Sequence, residues 1–118
     1  MDQDVLRTAA RWQSAFTEEM AATGYTTRTT FYQDLTIAEV ISGGEGVRDT
    51  YRRVCQEWRG NVEYYTEFVL CLNAKIWQHY KDNEPLARVY DELWRDACTW
   101  AVENLKGDDL AYYQRTTD

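Results

Sequence analysis

Apolar residues recur every three to four positions along most of the chain, which is the spacing of one face of an α-helix. This periodicity predicts helices over residues of about 3–22, 30–41, 46–59, 62–82 and 85–105. Asn61 precedes the fourth segment as its cap, and the fifth begins at the only proline, Pro85, which Asn83 or Glu84 precedes as a cap. We therefore predict an all-α, single-domain bundle of about five helices over residues 1–118. Its C-terminal part is a helical hairpin of about 61–82 and 85–105.

The breaks between the predicted helices coincide with glycines or with residues of low helix propensity. Gly24 ends the first helix, and the β-branched run 25–30 predicts a loop before the second. A strand over 26–32 is the alternative for this stretch. The glycine-rich residues 42–46 predict a break between the second and third helices, and the tail 108–118 is expected to add one helical turn.

The fourth predicted helix, 62–82, carries apolar residues on two opposite sides. Its main stripe consists of Tyr65, Phe68, Leu72, Ile76 and His79. The opposite side carries our candidate protein-binding patch, Leu70, Ala74 and Trp77. A helix that is apolar on two sides is either surrounded by its neighbours or forms half of an interface. The sequence leaves both interpretations open.

Two charged edges lie on the third and fifth predicted helices. The basic edge consists of Arg48, Arg52 and Arg59. The acidic edge consists of Glu92, Asp96 and Glu103. Either the two edges pair across the bundle, or the arginines receive an acidic partner or a phosphate through their forked donors.

Composition narrows the classes of function. The formal net charge of −7 argues against nucleic acid and anionic membranes as partners. No run of about eighteen apolar residues predicts a membrane span. Five Trp and nine Tyr exceed what a core of this size needs, and both residue types are enriched at interfaces. Three cysteines without C-x-x-C spacing, Cys55, Cys71 and Cys98, predict reduced thiols and a cytoplasmic location.

The sequence contains little of the chemistry that enzymes and metal sites use. His79 is the only histidine, and Cys71 lies about 12 Å from it along the same predicted helix. We expect His79 to be a core residue hydrogen-bonded to a neighbouring helix. The glycines of 43–46 lack the strand and the Lys-Ser/Thr ending of a phosphate loop. We therefore predict no enzymatic activity, no catalytic residue, no metal and no cofactor.

Several short motifs support a resemblance to a known group of proteins. They are Asp49-Thr50-Tyr51-x-Arg53, Glu57-Trp58, Asn73-x-Lys75-Ile76-Trp77-x-x-Tyr80, Tyr90-Asp91-x-Leu93-Trp94 and Asn104-Leu105-Lys106-Gly107. Over about 29–118 the chain resembles small helical proteins of bacterial and phage or mobile-element genomes, a group without an assigned activity. The resemblance implies a compact helical accessory protein with a role in conflict between mobile elements and their hosts.

These observations favour a non-enzymatic protein-binding module that acts by stoichiometric association with a protein partner. A homodimer through the helix 62–82 is one form of such an association. The alternative is an acidic inhibitor of a bacterial defence nuclease or effector, whose carboxylates stand where phosphates would lie. A further alternative is a small enzyme whose site the sequence does not reveal.

Overall fold

Helices account for nearly all of residues 27–118, which are the part of the chain that the computed structural model describes. They are α1 (Thr27–Trp58), α2 (Val62–His79), α3 (Glu84–Asn104) and α4 (Gly107–Thr117). The all-α prediction is confirmed, and the described part contains no strand. The first predicted helix, 3–22, and its end at Gly24 lie outside the described residues.

Helix α1 folds back on itself at Gly43. The backbone of Gly43 is non-helical, with φ 58° and ψ −140°. The rings of Phe31 and Trp58 lie 6.4 Å apart, although 27 residues of straight helix would separate them by about 40 Å. Asp34 and Arg53 likewise approach to 3.7 Å. The two halves of α1 therefore lie antiparallel, which agrees with the break predicted at residues 42–46.

The first turn of α1 differs from the sequence-based expectation. Residues 27–30 are helical, so the predicted loop and the alternative strand are both wrong over the described residues. Arg28 forms an ion pair with the buried Glu67 of α2, and its carbonyl oxygen accepts a hydrogen bond from Cys71 Sγ at 3.2 Å. Contacts between helices thus outweigh the low helix propensity of threonine, which costs only a few tenths of a kcal/mol per residue.

The predicted number of helices is also slightly off. The second and third predicted helices are the two halves of one kinked element, α1, in which the non-helical backbone is confined to Gly43. The tail forms an 11-residue helix, α4, instead of the single turn expected. Tyr113 anchors α4, since only 3% of its surface is exposed. The described part therefore has four helices where about five were predicted for the whole chain.

The predicted C-terminal hairpin is present as α2 and α3. Asn61 caps α2, because its side chain accepts a hydrogen bond from the Tyr64 amide at 3.2 Å. Asn83 caps α3 by accepting from the Leu86 amide at 3.3 Å, and Pro85 occupies the first turn. Each cap satisfies one of the four backbone amides at a helix start that have no partner within the helix. Helix α2 ends at His79, three residues before the predicted end at 82.

The cap of α3 leads to a first prediction. We expect Asn83→Ala to lower the free energy of unfolding by about 1 kcal/mol, since it removes the side-chain acceptor of the Leu86 amide. Urea unfolding followed by circular dichroism measures the change. Asn83→Ser is the control, because serine can accept the same hydrogen bond and should restore most of the loss. Equal destabilisation by both substitutions would contradict a role in capping.

Helix α2 forms the centre of the described bundle, since of the four described helices it packs most extensively against the other three. Phe68 lies between the two halves of α1, with its ring centroid 5.3 Å from Phe31 and 6.1 Å from Tyr51. Tyr65 faces α3, where its hydroxyl donates to the Ala97 carbonyl oxygen at 3.0 Å. The sequence left open whether this helix is surrounded by its neighbours or forms half of an interface. The main stripe of α2 is surrounded by neighbouring helices.

No helix within residues 27–118 has the length and apolar character needed to cross a membrane.

Candidate functional site

The candidate patch on α2 is partly exposed. Trp77 has 61% of its surface exposed, and Leu70 and Ala74 are half-buried. Tyr80 follows three residues after Trp77 and is 49% exposed. The two aromatic rings meet edge to face, with centroids 5.5 Å apart and planes at 75°. We call Leu70, Ala74, Trp77 and Tyr80 the α2 outer patch.

Two sides of α2 therefore have different environments. The main stripe is covered by neighbouring helices, whereas the outer patch ends in two large exposed side chains. A fully covered Trp77 indole would have excluded an interface at this face, and the indole is not covered. Sequence reasoning missed Tyr80, although its spacing from Trp77 places it on the same side of a helix. The patch therefore leaves two neighbouring aromatic side chains uncovered on one side of α2.

The basic and acidic edges face each other across α1 and α3. Arg48 Nη2 donates to Glu92 Oε2 at 2.9 Å. Arg59 Nη2 lies 3.8 Å from Asp96 Oδ2, and the Asp96 carboxylate also accepts a hydrogen bond from the Tyr51 hydroxyl. The structure therefore brings four of the six edge residues together in one seam between two helices.

The other two edge residues, Arg52 and Glu103, lie outside this seam. Arg52 pairs with Asp49 on its own helix, and Glu103 is exposed near the end of α3. The guanidinium of Arg59 also lies over the Trp100 ring, 4.7 Å from its centroid. Exposed ion pairs contribute little to stability. The main effect of the seam is therefore that the arginines of α1 and the carboxylates of α3 neutralise each other. It leaves neither edge as a continuous surface of one sign.

A buried polar cluster that sequence reasoning missed joins α1 to α2. Its centre is Glu39, whose side chain is 1% exposed. Lys75 Nζ donates to Glu39 Oε2 at 2.7 Å and to Thr36 Oγ1 at 2.7 Å. Nε2 of His79 donates to Glu39 Oε1, since an ionised carboxylate offers only acceptors. We call Glu39, Lys75 and His79 the Glu39 cluster.

Aromatic rings enclose the Glu39 cluster. The Lys75 ammonium lies 4.3 Å from the centroid of the Tyr32 ring, which places a cation over an aromatic face. The His79 ring stacks on Tyr90 with centroids 5.9 Å apart and planes at 9°. The expectation that His79 is a core histidine hydrogen-bonded to a neighbouring helix is confirmed.

Burial and pairing set the protonation of this cluster. Burial alone would raise the pKa of Glu39, but the hydrogen bond from His79 and the charge of Lys75 outweigh it and lower that pKa. Burial lowers the pKa of Lys75, and the Glu39 carboxylate opposes this shift. The arrangement therefore holds an ionised carboxylate against an ammonium, with no solvent between them.

The Glu39 cluster is closed to a substrate. Lys75 has no exposed surface, and His79 is 4% exposed. In the described part of the chain no hydrogen bond joins His79 to a cysteine, and no group of His, Cys, Asp or Glu residues has the arrangement of a metal site. Cys55, Cys71 and Cys98 are free thiols, and burial raises the pKa of Cys55 and of Cys71. The cluster therefore joins α1 to α2 through buried side chains.

A signal for the Glu39 cluster did exist in the sequence. Glu39 follows Leu35 by four residues, and Lys75 follows Leu72 by three, so both interrupt apolar stripes at helical spacing. Sequence alone could not show that the two interruptions meet, because that depends on how α1 and α2 are aligned.

No protein-family model matches the chain, and no curated protein or solved structure shows significant similarity to it.

Proposed function

We propose that this protein is a non-enzymatic binding module that associates stoichiometrically with a protein partner through the α2 outer patch. The observation that carries the proposal is the exposure of Trp77 and Tyr80 side by side at the end of a central helix. Burying a large apolar side chain contributes roughly 1.5–3 kcal/mol, so a partner that covers both rings gains substantially. Trp and Tyr are also the residues most often found as binding hot spots.

Two further parts of the proposal rest on other observations. The resemblance of the motifs in 29–118 to proteins of phage and mobile-element genomes supports a role as an accessory protein of such an element. The three free thiols agree with a reducing compartment, and we place the protein in the cytoplasm.

The other candidate functions have less support. An acidic inhibitor of a defence nuclease needs a continuous surface of unpaired carboxylates, but two of the three acidic-edge residues, Glu92 and Asp96, face arginines of α1. An enzyme needs a reactive group that a substrate can reach, and the Glu39 cluster is enclosed. We therefore retain the protein-binding module as the function that the geometry supports best.

The test compares Trp77→Ser with a matched control. We expect Trp77→Ser to leave the free energy of unfolding within about 0.5 kcal/mol of wild type, because the side chain is exposed. The same variant should lose association, measured as molar mass by light scattering for a second copy and as affinity capture from the native host for another protein. Ile41→Ser is the control, since Ile41 is a 75% exposed apolar residue on α1.

The outcomes separate clearly. Loss of the partner or of the dimer in Trp77→Ser, with retention in Ile41→Ser, supports binding through the α2 outer patch. A monomeric wild type whose captured proteins are the same with and without Trp77 would exclude it.

A further inference from the structure

A second surface, at the opposite end of α2, combines aromatic rings with carboxylates. A cleft of about 410 Å³ lies where the two halves of α1 meet the start of α2. Its apolar wall includes Phe31, Trp58 and Tyr64, and its polar rim includes Asp34, Arg53 and Glu57. The volume falls in the range of clefts that bind small molecules. Tyr64 and Trp77 are thirteen residues apart, about 20 Å along α2, so this cleft is separate from the α2 outer patch.

The three rings are tilted relative to one another. Trp58 and Tyr64 have centroids 4.6 Å apart and planes at 46°, and Trp58 meets Phe31 at 75°. Each ring face carries negative charge density, and a cation is attracted within about 6 Å of a ring centroid. Because the Trp58 and Tyr64 centroids are so close, one cation in the cleft can lie within reach of both.

The charges on the rim favour a cation as well. Arg53 lies 3.7 Å from Asp34, and about half of each side chain is exposed, so solvent weakens this pair. Glu57 is exposed on the same rim, and no ion pair engages it within residues 27–118. The rim therefore carries one more negative than positive charge, beside rings that also attract positive charge.

We propose that this cleft binds an organic ammonium head group, with Trp58 and Tyr64 supplying ring faces and Glu57 supplying the opposite charge. A methylated ammonium fits best, because its methyl groups contact the rings while its charge, spread over them, is weakly hydrated. This inference is independent of the proposed function, since it uses no residue of the α2 outer patch.

Choline is the probe that tests the proposal, and dimethylbutanol, its uncharged isostere, is the control ligand. We expect choline at constant ionic strength to shift the indole N–H resonance of Trp58 in a saturable manner, as followed by NMR. Dimethylbutanol has the same shape without the charge and should bind about tenfold more weakly. Equal binding of the two compounds would overturn the proposal, and so would the absence of saturable binding by choline.

Substitutions locate the site. Glu57→Gln keeps the shape of the rim and should weaken choline binding severalfold, whereas Glu103→Gln removes a distant exposed carboxylate and should leave it unchanged. Trp58→Leu should weaken binding about tenfold, and Trp77→Leu should not. Trp58 also packs against Phe31, so Glu57→Gln and Tyr64→Leu decide the matter if Trp58→Leu fails to fold. Unchanged affinity in folded variants of all three rim and wall residues would overturn the proposal.

A second ligand identifies the source of the head group. Acetylated and amidated trimethyllysine carries the same ammonium on a protein side chain. Tighter binding than choline assigns the cleft to a modified lysine of a partner protein, and weaker binding assigns it to a free small molecule. Failure of both ligands overturns the cation site and leaves the test of the α2 outer patch untouched.

Discussion

Lys75→Met is expected to destabilise the fold by about 3–5 kcal/mol, because it leaves the buried Glu39 carboxylate without its ammonium partner. Glu39→Gln is expected to cost a similar amount, since it leaves a buried ammonium without a carboxylate. The side chains of Glu39 and Lys75 are 1% and 0% exposed, so water cannot replace the lost partner. Urea unfolding, followed by both circular dichroism and fluorescence, measures each change.

The variant that combines Glu39→Gln with Lys75→Met tests whether the two side chains stabilise the fold as a pair. Replacing both members of a buried pair removes both charges, so Glu39→Gln with Lys75→Met should be more stable than the sum of the single changes implies. We expect a coupling of at least about 2 kcal/mol. A double variant that folds where the single variants do not leads to the same conclusion.

An exposed pair provides the control for this cycle. Arg88 and Glu84 form an ion pair one helical turn apart on α3, and their side chains are 76% and 64% exposed. The same substitutions there, Arg88→Met and Glu84→Gln, should each change stability by no more than about 0.5 kcal/mol. Additive effects at Glu39 and Lys75, no larger than those of the exposed pair, would show that the Glu39 cluster does not hold α1 to α2.

Gly43→Ala is expected to lower the free energy of unfolding by about 1–2 kcal/mol. The φ of 58° and ψ of −140° at Gly43 mirror an extended conformation, and a side chain makes them unfavourable. The added methyl group would meet no atom within 4 Å, so the cost comes from the backbone alone. Fewer unfolded conformations offset part of it. Urea unfolding of the variant measures the net change.

Two other glycines show whether the reversal of α1 is what matters. Gly60→Ala is the control, because Gly60 lacks a positive φ and has open space around it, and its effect should stay within about 0.5 kcal/mol. Gly46→Ala should destabilise by a different route, since its methyl group would lie 2.5 Å from the carbonyl oxygen of Ala38. If Gly43→Ala were as stable as Gly60→Ala, the turn would not depend on the conformational freedom of glycine.

Local signals in the sequence predicted much of the hairpin. The starts of α2 and α3 could be predicted from Asn61, Asn83 and Pro85, because capping is a contact between residues close in the sequence. The glycine-rich residues 42–46 likewise predicted a break, although not that the non-helical backbone would be confined to Gly43. The first turn of α1 was predicted wrongly, since Arg28 is held by Glu67 and Cys71, which lie about forty residues further along.

The candidate site was predictable only in part. Helical spacing identified Leu70, Ala74 and Trp77 as one face, and the structure shows that Trp77 and Tyr80 remain uncovered. The basic and acidic edges were also visible, but whether Arg48 faces Glu92 depends on the packing of α1 against α3.

Sequence by itself determined the helical class, most helix starts and the faces on which apolar residues lie, since these depend on contacts within a few residues. Only the tertiary structure decided which polar residues meet. The buried contact of Glu39 with Lys75 and His79, and the aromatic cleft of Phe31, Trp58 and Tyr64, both require the reversal at Gly43 and the alignment of α1 with α2. The physical reason is that charge pairing and ring stacking act over a few ångströms in space, whatever the distance along the chain.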